Sequence, residues 1–295
     1  MKEFIRKFIG NNFGKVVFWL TLFFILDILV FRQIGADASE KDRLSLYFLS
    51  VGQGDSELVK FPGGAKILID GGPPDSLVLE NLDKILPSRD HYIDIVALSH
   101  AELDHFGGLM EVLKRYRIGA FVWNGVPKDT SAAKELIKTI KDKNIPLITL
   151  AAGDVIRYGA SRMKVLWPPK NTIASGDSLN ETALVLELES KNTRALFTGD
   201  MGEETENKIM ADMADKVDIL KVGHHGSKFS SSANFLDSIR PKVAVIEVGK
   251  NSYGHPTKEA LNRLADVGAK IFRTDRDGLV KFEATDDILR FFVIK

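Results

Sequence analysis

The stretch LSHAELDHFGGL, residues 98–109, places four metal-ligand candidates, His100, Glu102, Asp104 and His105, ahead of a glycine pair. If this loop is extended, residues 100, 102 and 104 project to one side, and the neighbours Asp104 and His105 point apart. One such loop can serve two metal positions. Mixed imidazole and carboxylate donors suit zinc, manganese or iron. The chain has no cysteine, which excludes disulfides, thiolate-bound zinc, iron–sulfur clusters and a cysteine nucleophile.

Directly before the loop, IDIVALS (93–99) reads as a strand apolar enough to be buried on both faces, and residues 108–115 behind it read as a helix. Upstream, residues 43–50, 56–61 and 65–70 read as short strands broken by GQGD and PGG turns, followed by a helix over 77–86. Downstream come a strand at 118–123, a helix at 131–143 and a short strand at 146–150. The second half repeats the rhythm. Strands are expected at 163–167, 183–188, 194–198, 217–222, 243–248 and 269–273, with helices at 203–213, 232–239 and 257–267. Strands first, then βαβ-like alternation without a Pro-, Gly- or Ser-rich linker, predict an α/β fold. Two sheets face each other with helices outside, an αββα sandwich.

At 295 residues, 44% hydrophobic and 27% charged, the composition is globular and excludes a disordered or collagen-like chain. Lys+Arg and Asp+Glu are both 40 and cancel. The asymmetry is local. Lys2, Arg6, Lys7 and Lys15 precede VVFWLTLFFILDILVF (16–31), in which Asp27 is the only charge. Residues 1–38 therefore read as an N-terminal transmembrane or signal helix, ahead of a body over 39–295. One form is an uncleaved anchor over 14–34; the other is a signal peptide cut after Ala36-Asp37-Ala38. Either way the positive-inside rule leaves the body outside the cytoplasm, tethered to the cell membrane or secreted. Without residues 1–38 the body is slightly acidic, so nucleic acid would be engaged at a local site rather than by a broad basic face.

Seven separated segments, in order, carry a resemblance: SVGQGDS (50–56), LIDGG (68–72), LSHAELDHFGGL (98–109), FTGD (197–200), LKVGHHGSKFSSS (220–232), YGHP (253–256) and RTDRDG (273–278). Together they resemble the metallo-β-lactamase fold in its ComEC-like branch, the extracytoplasmic hydrolase domain of competence proteins and its stand-alone relatives. Glu102 stands in place of the second His of the H-x-H-x-D-H signature, which favours manganese or iron more than an all-His site does. The resemblance implies two divalent ions, zinc or manganese, held by His100, Glu102, Asp104, His105, Asp200, His225 and His255, with Asp104 and His225 catalytic. Asn180, His224 and Asp70 follow as a weak ligand or as residues orienting the ligands. Asn180 lies where the fold usually supplies a His, so one ion is expected to be held loosely. Asp55 is expected to form a turn or support a ligand.

Such a pair of ions lowers the pKa of a bound water towards neutrality. No P-loop, GxGxxG or Ser-His-Asp arrangement competes. The resemblance thus implies a metal-dependent hydrolase, a phosphodiesterase or nuclease acting on DNA outside the cytoplasm. Ser227, Lys228 and residues 230–232 read either as donors to phosphate oxygens or simply as a polar loop and helix start. The alternatives are a catalytically weak, metal-bound binding module, or a hydrolase of another ester or lactone, since the fold does not fix the substrate. The many-helix channel of full ComEC has no counterpart here, so hydrolysis without transport is expected.

Overall fold

Short apolar runs separated by glycine turns build the first sheet. The computed structural model describes residues 3, 15–28, 42–170, 179–213, 216–286 and 288–294. It divides into two units, Met1–Asp42 and Arg43–Lys295. In the first, residues 15–28 form helix α1, on which Phe18, Trp19, Leu20, Phe23 and Phe24 are exposed. Among the described residues no helix is long and apolar enough to cross a membrane, because a span takes about 20 residues. Helix α1 covers only part of the expected transmembrane or signal segment. The rest of 14–34 and the cleavage position after Ala38 lie outside the described residues.

In the second unit the chain lays down β1 (Leu44–Phe48), β2 (Glu57–Lys60), β3 (Lys66–Ile69), helix α2 (Leu77–Ile85) and β4 (Tyr92–Leu98). Helices α3 (Leu103–Phe106) and α4 (Leu109–Arg115) lead to β5 (Arg117–Trp123), α5 (Ser131–Asp142) and β6 (Leu147–Thr149). A second sheet then forms from β7 (Val155–Tyr158), β8 (Ser161–Trp167), β9 (Val185–Ser190) and β10 (Thr193–Phe197). It continues through α6 (Glu203–Ile209), β11 (Ile219–Lys221), α7 (Ala233–Ile239), β12 (Val243–Ile246), α8 (Lys258–Asp266) and β13 (Lys270–Arg273). After α9 (Thr274–Asp277) the chain returns to the first sheet with β14 (Leu279–Ala284) and β15 (Leu289–Ile294). The sheet orders are β15-β14-β1-β2-β3-β4-β5-β6 and β13-β12-β11-β10-β9-β8-β7.

The sandwich follows from which faces are apolar. Leu46, Phe48, Val59 and Ile67 of the first sheet pack on Met163, Val165, Leu186 and Phe197 of the second. Phe48 stacks on Phe197, with ring centres 6.1 Å apart. The outer face of the first sheet is covered through α2, α4 and α5, and that of the second through α6, α7 and α8. Helix α5 shows the logic in one element. Ala133, Leu136 and Ile140 are buried on one side, and Thr130 caps its start by accepting from the Ala133 N–H. Burying a Leu or Ile side chain contributes about 1.5–3 kcal/mol, far more than the few tenths that the helical propensity of a short segment offers.

Both sheets have a parallel half, β3-β4-β5-β6 in the first and β10-β11-β12-β13 in the second. The loops after β3, β4, β10, β11 and β12 carry the sites marked by the sequence motifs, as ligand sites in α/β sheets sit beyond the carboxyl ends of parallel strands. Glycine admits the closest approach among them. A Cβ on Gly54 would run into the carbonyl oxygen of Asp104. The expectation lacked the hairpin β14–β15 and the edge strand β7.

Candidate metal centre

Three buried histidines converge, each held by one ring nitrogen with the other left bare. His105 leaves the first turn of α3, and its Nδ1–H donates to Asp70 Oδ2 at 2.8 Å. Asp70 follows β3 and is itself fixed by the Ser99 N–H at 2.7 Å and the Ser99 hydroxyl at 2.6 Å. That hydroxyl, having donated to Asp70, accepts from His100 Nδ1 at 3.0 Å. His225 Nδ1 donates to the Glu247 carbonyl at 2.9 Å and lies 3.2 Å from Asp55 Oδ1. The Nε2 atoms of His100, His105 and His225 are buried without a hydrogen-bond partner, as is Asp200 Oδ1.

These bare nitrogens face carboxylates. Asp200 Oδ2 lies 3.4 Å from His105 Nε2 and 3.6 Å from His225 Nε2, and Asp104 Oδ2 lies 3.5 Å from His225 Nε2. His100, His105 and Asp200 form one group with donor atoms within 4.8 Å, Asp104, His105 and His225 a second, and Asp55, Asp200 and His225 a third. Buried polar atoms normally have partners, and a metal-bound histidine typically donates its far N–H to a carboxylate or carbonyl. The donor set fits a divalent ion on both counts. Asp104, His105, His225 and Asp200, joined by His100, would hold it, and zinc, manganese or iron matches the mixed nitrogen and oxygen donors.

The loop achieves this differently from the extended form expected. Asp104 and His105 do not point apart. They occupy a helical turn whose N-terminal flank is Glu102, and both reach the cluster around His225. Glu102 turns away and pairs with Lys128. After β11 the His224–His225 pair is not extended either: both backbones are left-handed, at φ 46° and 52°, between Gly223 and Gly226. His225 is buried, while His224 is half-buried with Nε2 3.9 Å from Asp200 Oδ2. His255 is outside the three groups. Its ring packs 5.5 Å from that of His224, and its buried Nδ1 has no partner. Asn180 Nδ2 is 3.5 Å from His224 Nε2, at the rim.

A buried ionic cluster beneath the histidines was not anticipated. Lys221, fully buried, pairs with Asp55, donates to the Gly199 carbonyl at 2.9 Å and lies 3.9 Å from Asp200 Oδ1. Glu247 accepts from the Ser56 N–H at 3.2 Å, and its carboxyl group lies beside those of Glu57 and Asp55. Burial and the Asp55 charge push Glu57 up to about 8; burial and Glu57 push Glu247 well above the usual carboxylate range. Asp55 supports His225 and Lys221 together, the supporting one of the two roles expected of it.

Burial and its neighbour His105 drop His100 to about 3, so its ring is neutral and ready to bind a cation. For His225 burial acts downward, but the Asp200 and Asp55 charges overcome it and raise the ring to about 10. His105 is raised the same way, against burial, by Asp200 and Asp55. Asp104 falls to about 2: burial opposes this, and the adjacent His225 ring and the His105 charge outweigh it.

A sign follows for the metal-free chain. His225 and His105 stabilise the fold fully below the unfolded value near 6.5, and this is lost as pH rises through the folded value, about 10 for His225. Glu57 has the same sign between 4.5 and about 8. Metal binding needs neutral imidazoles, so the stabilisation it adds grows with pH. The increase in Tm on adding zinc or manganese is expected to be larger near pH 8.5 than near pH 6, by about 5 °C or more. A pH-independent increment, read by calorimetry with and without chelator, would contradict this donor assignment.

The geometry can be set beside known proteins. A family model described as a beta-lactamase superfamily domain matches residues 65–270. The chain is similar to ComE operon protein 3 of Bacillus subtilis, 30% identical over 267 residues, covering 83% of this chain and 34% of the relative. It is also similar to competence protein ComA of Neisseria gonorrhoeae, 27% identical over 251 residues, covering 83% and 33%. The chain thus spans about a third of the length of the curated relatives it matches. Among solved structures it is similar in fold to the metallo-beta-lactamase fold protein YhfI from Bacillus subtilis, at a TM-score of 0.55 and 11% identity, covering 84% of this chain and 100% of that one.

Proposed function

The chain belongs to the metallo-β-lactamase superfamily, a family of metal-dependent hydrolases, and shares its body with competence proteins; from that premise we propose that it is a phosphodiesterase that cuts DNA strands outside the cytoplasm. The observation that carries the reading is the set of bare Nε2 atoms of His100, His105 and His225 beside Asp200 and Asp104. Two bound zinc or manganese ions would polarise a phosphoryl oxygen and supply a nucleophile from water at neutral pH. The chain's own residues do the rest. Asp70 and the Glu247 carbonyl keep Nδ1 protonated on His105 and His225, so both rings present Nε2 to the site. Asp104, half-exposed and ionised at neutral pH, borders solvent as an anion facing the site.

Similarity to a competence protein supports DNA as the substrate, and the slightly acidic body supports a strand or end held locally over a duplex held broadly. The cations before residue 16 support the body lying outside, with 14–34 as its tether. The test is direct: purified chain with added manganese or zinc should cleave single-stranded DNA and bis-p-nitrophenyl phosphate, and excess chelator should abolish both. Protease added to intact cells should remove the body. DNA binding without cleavage under any metal would favour a binding module instead, and efficient lactone hydrolysis would move the substrate to another class.

A further inference from the structure

The two most exposed aromatic side chains of the body, Tyr253 at 73% and Phe229 at 68%, lie on the two loops that carry the outer histidines. The backbone beneath each ring is held by a side chain. Asn251 Oδ1 accepts from the Tyr253 and His255 N–H groups, both at 3.0 Å, while its Nδ2 donates to the Gly249 and His255 carbonyls at 2.9 and 2.8 Å. The Phe229 loop is pinned by Arg263, which donates to the carbonyls of Lys228, Ser230 and Ser231 at 3.1, 2.8 and 2.7 Å. The loops are joined where the Thr257 N–H donates to the Gly226 carbonyl at 2.9 Å.

From Tyr253 a succession of rings leads inward. Tyr253 to His255 is 5.8 Å between centres at an interplanar angle of 31°, His255 to His224 is 5.5 Å, and His224 to His225 is 6.2 Å. Exposed cations flank the rings. Lys228 Nζ lies 4.9 Å from the Phe229 ring centre, and Lys250 begins the Tyr253 loop. Neither lysine pairs with a carboxylate among the described residues. Exposed aromatic faces beside ammonium groups are what unpaired bases and their phosphates bind, by stacking and by charge.

We propose that Tyr253 and Phe229 form a stacking platform for unpaired nucleobases of the substrate strand, with Lys228 and Lys250 on the adjoining phosphates. The proposal rests on the phosphodiesterase reading for its substrate class, and it names the residues that select a single strand. Loops already held in place lose little entropy on binding, whereas a duplex keeps its bases stacked internally and leaves both rings uncovered.

The test compares a labelled single-stranded oligonucleotide with an abasic strand of equal length and charge, by fluorescence anisotropy on the full chain with chelator present. The base-bearing strand is expected to bind about tenfold more tightly. Tyr253→Ala together with Phe229→Ala should reduce that preference to within about twofold without weakening abasic binding, and Tyr253→Trp should keep it. Lys228→Ala and Lys250→Ala should weaken both strands and lower the salt slope by about 0.7 each. Equal binding of the two strands by the unaltered chain, or a preference that survives loss of both rings, overturns the platform. If the strand is bound with this preference yet cut under no metal, the cleavage reading fails and the platform stands. If it is cut but bound no better than the abasic strand, the platform fails alone.

Discussion

Asp200→Asn is expected to retain no more than roughly half the metal of the unaltered chain after dialysis, and to cleave phosphodiesters about a thousandfold more slowly. The side chain is shared: its Oδ2 faces His105 and His225 at 3.4 and 3.6 Å, and it belongs to two donor groups. Asparagine keeps the shape but offers one neutral oxygen and no charge. Burial opposes ionisation of Asp200, yet the His225 and His105 charges hold its carboxyl well below the usual range. In the intact chain it is therefore an anion ready for cations at any working pH. Elemental analysis and turnover of bis-p-nitrophenyl phosphate check both halves of the expectation. Unchanged metal content in the variant would remove Asp200 from the centre.

Lys221→Met is expected to be the most damaging change outside the histidines. Removing one partner of a buried ion pair costs about 3–5 kcal/mol, or a fall in Tm of about 10 °C for a body of this size. The ammonium faces Asp55 and Asp200, whose charges hold it protonated against burial. Without it, several buried carboxyl groups meet with only the histidines as counterions. Methionine fills nearly the same volume, so lost charge rather than a cavity is what the experiment reads. The exposed Arg162–Glu189 pair, 2.5 Å apart, is the contrast: Arg162→Ala should cost less than about 1 kcal/mol. Equal thermal shifts for the two variants would show that Lys221 does not hold the site together.

The HAELDH loop was readable because its ligands fall within six residues behind an apolar strand. Its shape was not. A four-residue helix such as α3 has too few positions for periodicity to show, so the turn that brings Asp104 and His105 together reads in sequence as an extended loop. Lys221 was harder still. In a three-residue strand its charge reads as solvent-facing, and only the placement of β11 between β10 and β12 covers it. Glu57 and Glu247 share that difficulty, since their pairing spans the chain. The hairpin β14–β15 was legible in principle: Lys281 and Glu283 alternate with buried Val280, Phe282 and Ala284. The αββα class was readable because apolar strands and amphipathic helices such as α5 alternate so regularly.

The contacts that close the centre are among the longest in the chain, such as Ser56 to Glu247 across 191 residues and Lys221 to Asp55 across 166. This imposes an order on synthesis. At roughly 5–20 residues per second, the loop bearing His100 and His105 emerges several seconds or more before the segment bearing Lys221 and His225 exists. During that interval an early ion meets only a few flexible donors, too few to hold it against exchange. The complete donor set forms only when the whole body folds, and the ion is chosen then. If the chain crosses a membrane before folding, its metal reflects the compartment on the far side, whatever ions surrounded the ribosome.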